Sequence, residues 1–270
     1  MHARSTRLIP VSVDEQTIHL EMCIYQPATT GPWPTLVFNH GSTGSGTDPQ
    51  RFTQPIDEPH LAQFFVQHGW AVILPARRGR AHSKGVYDEG FERDRGLGYT
   101  CDPPRSLAGA DRAIADIAAA IAAIQAFPFV DHHKIVIGGQ SRGGILSVAY
   151  AGLHSEHIRG VLNFVGGWLG TGCPTASHIN QTLFRRGGAY PGEMLWLYGD
   201  GDPFYPLPHS HENFAAFHNA GGRGTFHVLQ PPEENGHRLV GYPEVWGVTV
   251  RTYLQRIGLP FDPQAPPQEA

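Results

Sequence analysis

Two periods alternate along the chain. Residues 8–13 and 18–25 alternate as strands do, with Asp14-Glu15-Gln16 as the turn between them, which predicts an opening hairpin. Short apolar runs follow at residues 35–39, 70–74, 135–138, 158–165, 194–198 and 225–230, and runs of that length predict buried strands. Between the runs the period lengthens. Residues 58–68 put Leu61, Phe64, Phe65 and His68 on one helical face, with Gly69 as the stop. Residues 106–127 carry the clearest apolar stripe, Leu107, Ala110, Ile114, Ile117, Ala118, Ile121 and Ile124, with Ser106 as the expected cap and Pro128 after the end. Shorter helices are predicted near 177–185 and 213–219, and a closing one over 243–257. Strands alternating with helices predict an α/β fold, a mostly parallel sheet of about eight strands covered by helices on both faces.

Two segments interrupt this rhythm. Residues 75–104 are polar, Gly-rich and charged, yet Tyr87, Phe91 and Tyr99 punctuate them, so a folded excursion is expected. Residues 166–192 form a second, Gly-rich excursion through Trp168 and Cys173. Neither is long enough for a large cap domain, so an open site roofed by these two loops is expected. Residues 1–260 read as one domain of 270 residues in total, and residues 261–270 as a Pro-rich tail.

Composition narrows the function. Charged residues make up 16 % of the chain and the formal net charge is -4, with no basic stripe to meet a phosphate backbone, so no nucleic-acid partner is expected. No apolar run reaches membrane-spanning length. Cys23, Cys101 and Cys173 are too few for a metal cluster, and the pairs His132-His133 and His209/His211 lack the spacing of a ligand set, so no metal and no cofactor is expected. Cys23 sits in a strand-like alternation; Cys101 and Cys173 both lie in loops, where a bridge is open but not required. A cytoplasmic enzyme acting on a small molecule is the expectation, with a homodimer left open.

The chemistry concentrates just after strands, where ligands bind in such sheets. An apolar run ends abruptly in Gly139-Gln140-Ser141-Arg142-Gly143 and a helix-forming segment follows. This is the strand, turn and helix context of a nucleophile elbow, in which flanking glycines remove Cβ atoms that would clash. A serine hydroxyl needs an imidazole to take its proton and a carboxylate to hold that imidazole. After the strand at 194–198, Gly199-Asp200-Gly201-Asp202 offers two carboxylates: Asp200 is placed to build the turn, and Asp202 is the preferred acid. After the last strand, His237 is the candidate base. Donors for an oxyanion are expected from the backbone N–H of Arg142 and of Ser42, where Gly41 permits close approach. His40 reads as a buried structural histidine, and Trp168 as a wall of the acyl pocket. Arg142 and the Arg77, Arg78 and Arg80 cluster are expected to pair with Glu89, Glu92 and Asp94 rather than with substrate.

Taken together, His40-Gly41, the elbow around Ser141, Gly199-Asp200-Gly201-Asp202 and Gly236-His237 resemble the α/β-hydrolase superfamily over nearly the whole chain. Within it, Arg78-Gly79 after the fourth strand and Val130-Asp131-His-His-Lys134-Ile135 resemble the dienelactone-hydrolase and peptidase-like esterase branch. In that branch the acid usually stands third after the glycine, which implies Asp202. Ser141 departs from the cysteine of dienelactone hydrolases proper. The resemblance implies a serine esterase with a Ser141, His237 and Asp202 triad acting through an acyl-enzyme; a peptidase, amidase, acyltransferase or non-catalytic binding protein are the alternatives.

Overall fold

A hairpin opens the chain, β1 (Ala3–Val13) with β2 (Gln16–Gln26), in the computed structural model, which describes residues 3–261. Asp14 and Glu15 alone make the turn, at φ 51° and 61°. Two left-handed residues match the twist of an antiparallel pair, so Gln16 already pairs with Val13 as strand. Six further strands follow, β3 (Trp33–Asn39), β4 (Ala71–Pro75), β5 (Val130–Gln140), β6 (Gly160–Phe164), β7 (Glu193–Gly199) and β8 (Arg223–Leu229). All join one eight-stranded sheet in the order β1-β2-β4-β3-β5-β6-β7-β8. β3 through β8 run parallel, and β2 meets β4 antiparallel. Every residue of β4 and β6 is buried, which accounts for their largely apolar sequences.

The helices are α1 (Pro59–Gln67), α2 (Pro103–Gln125), α3 (Arg142–Leu153), α4 (Ala176–Arg186), α5 (Leu207–Asn219) and α6 (Pro243–Arg256). α2, α3, α4 and α5 pack in succession, and α1 packs against α6. Covering both faces of the sheet in this way leaves its carboxyl edge open, and that edge carries the loops described below.

Two helices begin earlier than their apolar pattern. α2 starts at Pro103, because prolines at its first two positions need no N–H partner there and Asp102 caps it, accepting from Arg105 N at 3.2 Å. Ser106 is therefore not the cap: it lies a turn inside, fully buried, and its Oγ accepts from Trp168 Nε1 at 2.8 Å. α5 likewise starts at Leu207, with Pro208 in its first turn. Phe261, the first residue of the expected tail, belongs to the core, stacked on His68 with ring centroids 4.4 Å apart; the rest of that tail lies outside the described residues. Among the described residues no helix is long and apolar enough to cross a membrane.

Candidate active site

Ser141 occupies the sharp junction between β5 and α3, at φ 56° and ψ −122°. A non-glycine residue is strained there, and the junction is over-determined by its surroundings. Ser141 N donates to Phe164 O at 3.0 Å, and its carbonyl accepts from Gly144 N and Gly167 N at 3.0 and 3.1 Å. The neighbouring glycines have no room for a side chain: a Cβ on Gly143 would lie 1.9 Å from Asn39 O, and one on Gly139 would lie 2.4 Å from Gly143. The tight turn thus packs α3 directly on the end of β3.

Asp202 and His237 come from the loops after β7 and β8. Asp202 is buried. Its Oδ1 accepts from Phe204 N at 2.8 Å and Tyr205 N at 3.0 Å, which leaves Oδ2 for His237 Nδ1 at 2.8 Å. Asp200 instead is exposed and bonds the adjacent Gly201 N at 2.9 Å, a local turn contact. The two loops touch through glycine backbone, since a Cβ on Gly199 would meet Gly236 O at 2.3 Å. Asn235 Oδ1 accepts from His237 N at 3.1 Å, and Gln140 Nε2 donates to His237 O at 2.7 Å, tying the histidine loop to the residue before Ser141. Phe204 and Tyr205 flank the imidazole at ring separations of 4.8 and 5.6 Å. With Nδ1 committed to a carboxylate, the proton-accepting nitrogen of neutral His237 is Nε2. Ser141 and His237 line the same cavity, of about 410 Å³. No hydrogen bond joins Ser141 Oγ to His237 among the described residues; such contacts commonly tighten only when substrate is bound.

The loop after β3 supplies another wall. Gly41 approaches Ser141 closely, a Cβ on it falling 3.3 Å from Ser141 Cβ. Ser42 lines the cavity, and the next amide, Thr43 N, is already taken by Tyr99 Oη at 3.2 Å. His40 is held at both ring nitrogens. Nδ1 donates to Gly41 O at 2.8 Å and Nε2 accepts from Arg77 N at 3.2 Å. Burial, with Arg77 and Arg80 beside it, pushes its pKa well below the usual histidine range, so it stays neutral. The other histidines considered from the sequence are elsewhere: His227 sits in β8, and His209, His211 and His218 in α5.

Beneath the cavity is a network of buried charge. Arg77 Nε meets Glu89 Oε1 at 2.5 Å, and Arg142 Nη1 lies 3.6 Å from Glu89 Oε2. The Arg142 guanidinium is sandwiched between Tyr99 and Trp168, 3.6 and 4.2 Å from their ring centroids. Burial alone would raise the Glu89 pKa; the three arginines Arg77, Arg142 and Arg80 overcome it and hold the carboxyl ionised below its usual range. The expected ion pairing therefore holds for Glu89, but not for Glu92, which pairs with Arg105, or Asp94, whose side chain caps Gly96 N. Arg78 turns instead to Asp116 and Asp14, at 2.5 and 2.8 Å, carboxylates distant in sequence. Trp168 lines the cavity with its indole N–H bound to Ser106. Cys101 and Cys173 form a disulfide that links the two roofing excursions.

Tyr205, Phe204, Tyr99 and Glu58 also line the cavity, and sequence reasoning did not single them out for it. The first two follow Asp202 after a single proline, Pro203, so an aromatic pair in a polar loop was the available signal. Among the described residues, no group of three or more His, Cys, Asp or Glu is arranged to hold a metal ion.

Comparison with known proteins agrees with this architecture. The sequence model of the X-Pro dipeptidyl-peptidase (S15) family matches residues 16–196. No curated protein matches the chain. Among solved structures, Est1E from Butyrivibrio proteoclasticus with ferulic acid bound superposes at a TM-score of 0.62 and 14% identity, covering 92% of this chain and 98% of its own. A cold-adapted esterase from an Arctic intertidal metagenomic library gives 0.61 and 17%, covering 96% and 95%. An acylaminoacyl peptidase in complex with a chloromethyl ketone gives 0.65 and 16%, covering 97% of this chain and 43% of that one. The sheet order and these neighbours establish the α/β-hydrolase fold.

Proposed function

The chain belongs to the X-Pro dipeptidyl-peptidase (S15) family and is an α/β-hydrolase, and from that premise we propose that it cleaves carboxylic esters through an acyl-enzyme on Ser141. The observation that carries this reading is the buried Asp202 carboxylate on His237 Nδ1, in a cavity whose wall also holds Ser141 on a strained elbow. In this reading Ser141 Oγ attacks the acyl carbon while His237 Nε2 takes its proton. Asp202 fixes the imidazole tautomer and stabilises the imidazolium that forms. The amides of Arg142, at the start of α3, and of Ser42 meet the developing oxyanion, and His237 then returns the proton to the leaving alcohol. Water, activated by the same imidazole, releases the acid. Trp168 and Tyr99 bound the pocket.

Two comparisons favour esters: Est1E, whose solved structure holds ferulic acid, and the Arctic esterase. The family match favours a second reading, peptide hydrolysis by the same residues. Ser141→Ala is expected to abolish turnover of p-nitrophenyl acetate, and Asp202→Asn to cost far more rate than Asp200→Asn. Retained turnover in Ser141→Ala rejects the proposal, and faster cleavage of an X-Pro anilide than of the matched ester selects the peptidase reading. As to compartment, the cytoplasmic expectation has one observation against it, the Cys101–Cys173 bond, since disulfides persist mainly in oxidising environments.

A further inference from the structure

The loop after β3 is pinned on either side of one free amide. In the peptide joining Gly41 to Ser42, Gly41 O accepts from His40 Nδ1 at 2.8 Å and from Arg80 Nη1 at 3.3 Å. In the next peptide, Thr43 N donates to Tyr99 Oη at 3.2 Å. Ser42 N has no hydrogen-bond partner among the described residues, and Ser42 lines the cavity with Ser141. A peptide unit is planar and trans, so its N–H points opposite to its C=O. Holding Gly41 O therefore sets the direction of the Ser42 N–H, and holding Thr43 N stops the following peptide from turning it.

Tyr99 is not free to choose its partners. Glu89, ion-paired with Arg77 at 2.5 Å, is a carboxylate and can only accept. Tyr87 Oη must then donate to Glu89 Oε2, at 3.1 Å, and burial beside that charge holds the tyrosine pKa well above its usual range, so the proton stays. With its proton spent, Tyr87 Oη can only accept from Tyr99 Oη, at 2.7 Å. Tyr99 has now spent its own proton, so it accepts both from Thr43 N and from Thr43 Oγ1, the latter at 2.8 Å. One carboxylate thus fixes every proton along Glu89, Tyr87, Tyr99 and Thr43, and the far end of that chain is the β3 loop. Glu89 also holds the elbow: Arg142 Nη1 donates to Glu89 O at 3.0 Å and lies 3.6 Å from Glu89 Oε2.

We propose that Tyr99 is a positioning residue for the oxyanion site: its hydroxyl, oriented by Glu89 through Tyr87, anchors Thr43 N and so keeps the Ser42 amide aimed at the acyl oxygen. The inference rests on the acyl-enzyme reading above. Tyr99 touches no reacting atom in this role, and with its proton committed to Tyr87 it does not itself donate to the oxyanion. An aligned amide is worth most once the carbonyl oxygen carries charge, so losing the anchor weakens the transition state and spares ground-state binding.

Tyr99→Phe removes the hydroxyl and keeps the ring over Arg142. The measurement is kcat and KM for p-nitrophenyl acetate, with Ki for 1,1,1-trifluoro-2-butanone, in wild type and variant. Ser141 Oγ bonds to the carbonyl carbon of that ketone as the C=O π bond opens to an alkoxide, and the serine proton passes to His237. Ki therefore reads the oxyanion site with no leaving group involved. In Tyr99→Phe, kcat is expected to fall about tenfold and Ki to rise about tenfold with KM within about twofold, less than the loss for deleting an oxyanion donor outright. Tyr87→Phe frees the Tyr99 proton to turn onto Thr43 Oγ1; it is expected to shift kcat and Ki the same way, about threefold, and carries the test if Tyr99→Phe does not fold. A kcat or Ki within about twofold of wild type, or a KM that rises as much as Ki, overturns the inference alone. A wild type that hydrolyses no p-nitrophenyl acetate, or that the ketone does not inhibit, overturns the acyl-enzyme reading and the inference with it.

Discussion

The carboxyl edge of the sheet and the wall of the cavity it opens into are built by opposite means. At the edge, backbone packs on backbone: Gly143 against Asn39, Gly139 against Gly143, Gly199 against Gly236. Very few side-chain contacts are needed because the absence of Cβ atoms lets turns nest, and a strained residue such as Ser141 is held by main-chain hydrogen bonds. In the wall, segments far apart in the chain meet through charged and aromatic side chains. Glu89 gathers Arg77 and Arg142, Tyr99 and Trp168 clamp Arg142, and the Cys101–Cys173 bond joins their loops. The edge tolerates almost no added volume; the wall tolerates almost no lost charge.

That contrast can be broken from either side. The largest effect is expected for Gly143→Ala, whose new Cβ would fall 1.9 Å from Asn39 O. Neither backbone can move without shifting β3 or α3, so a loss of more than about 4 kcal/mol, or failure to fold, should appear in urea titration. A soluble Gly143→Ala protein with wild-type midpoint would show that the edge is looser than its packing. In the wall, Arg77→Met removes the partner 2.5 Å from Glu89 and leaves a buried carboxylate with Arg142 at 3.6 Å. A loss of about 3 kcal/mol is expected, read by the same titration, and Arg77→Met/Glu89→Leu should recover part of it. No recovery in the double variant would show that the cost is packing rather than charge.

His40 joins the two regions and gives the smallest, pH-dependent effect. Its folded pKa lies well below 6.5 because it is buried beside Arg77 and Arg80. Above 6.5 the ring is neutral whether the chain is folded or not, and His40 adds no slope. As pH falls below 6.5 the unfolded chain takes up a proton that the folded chain refuses, so stability falls, by up to about 1.4 kcal/mol per pH unit. The acid limb of the His40→Asn curve should be flatter than that of wild type; an unchanged slope would assign the acid sensitivity elsewhere.

The same contrast explains what the sequence made legible. The edge is local in sequence: Gly139 and Gly143 flank Ser141, and Asp202 and His237 each follow a strand, so motif and strand order together point to them as candidates. Even there, choosing between Asp200 and Asp202 took turn chemistry, because both stand in the one loop between β7 and α5. The wall is not local. Nothing near Arg78 in the chain points to Asp116 as its partner, and Cys101 and Cys173 are 72 residues apart. The start of α2 was hidden because Pro103 and Pro104, which usually end helices, here begin one, and Ser106 looked like a cap for that reason.

The most direct measurement of the central claim is covalent labelling of the native protein with a fluorophosphonate, followed by peptide mapping. A serine with an ordinary hydroxyl does not react at neutral pH, whereas one served by a carboxylate-bound imidazole does. The account predicts a single adduct on Ser141 that is lost when His237 is replaced by Ala. Absence of labelling, or an adduct on another serine that survives His237→Ala, would contradict it.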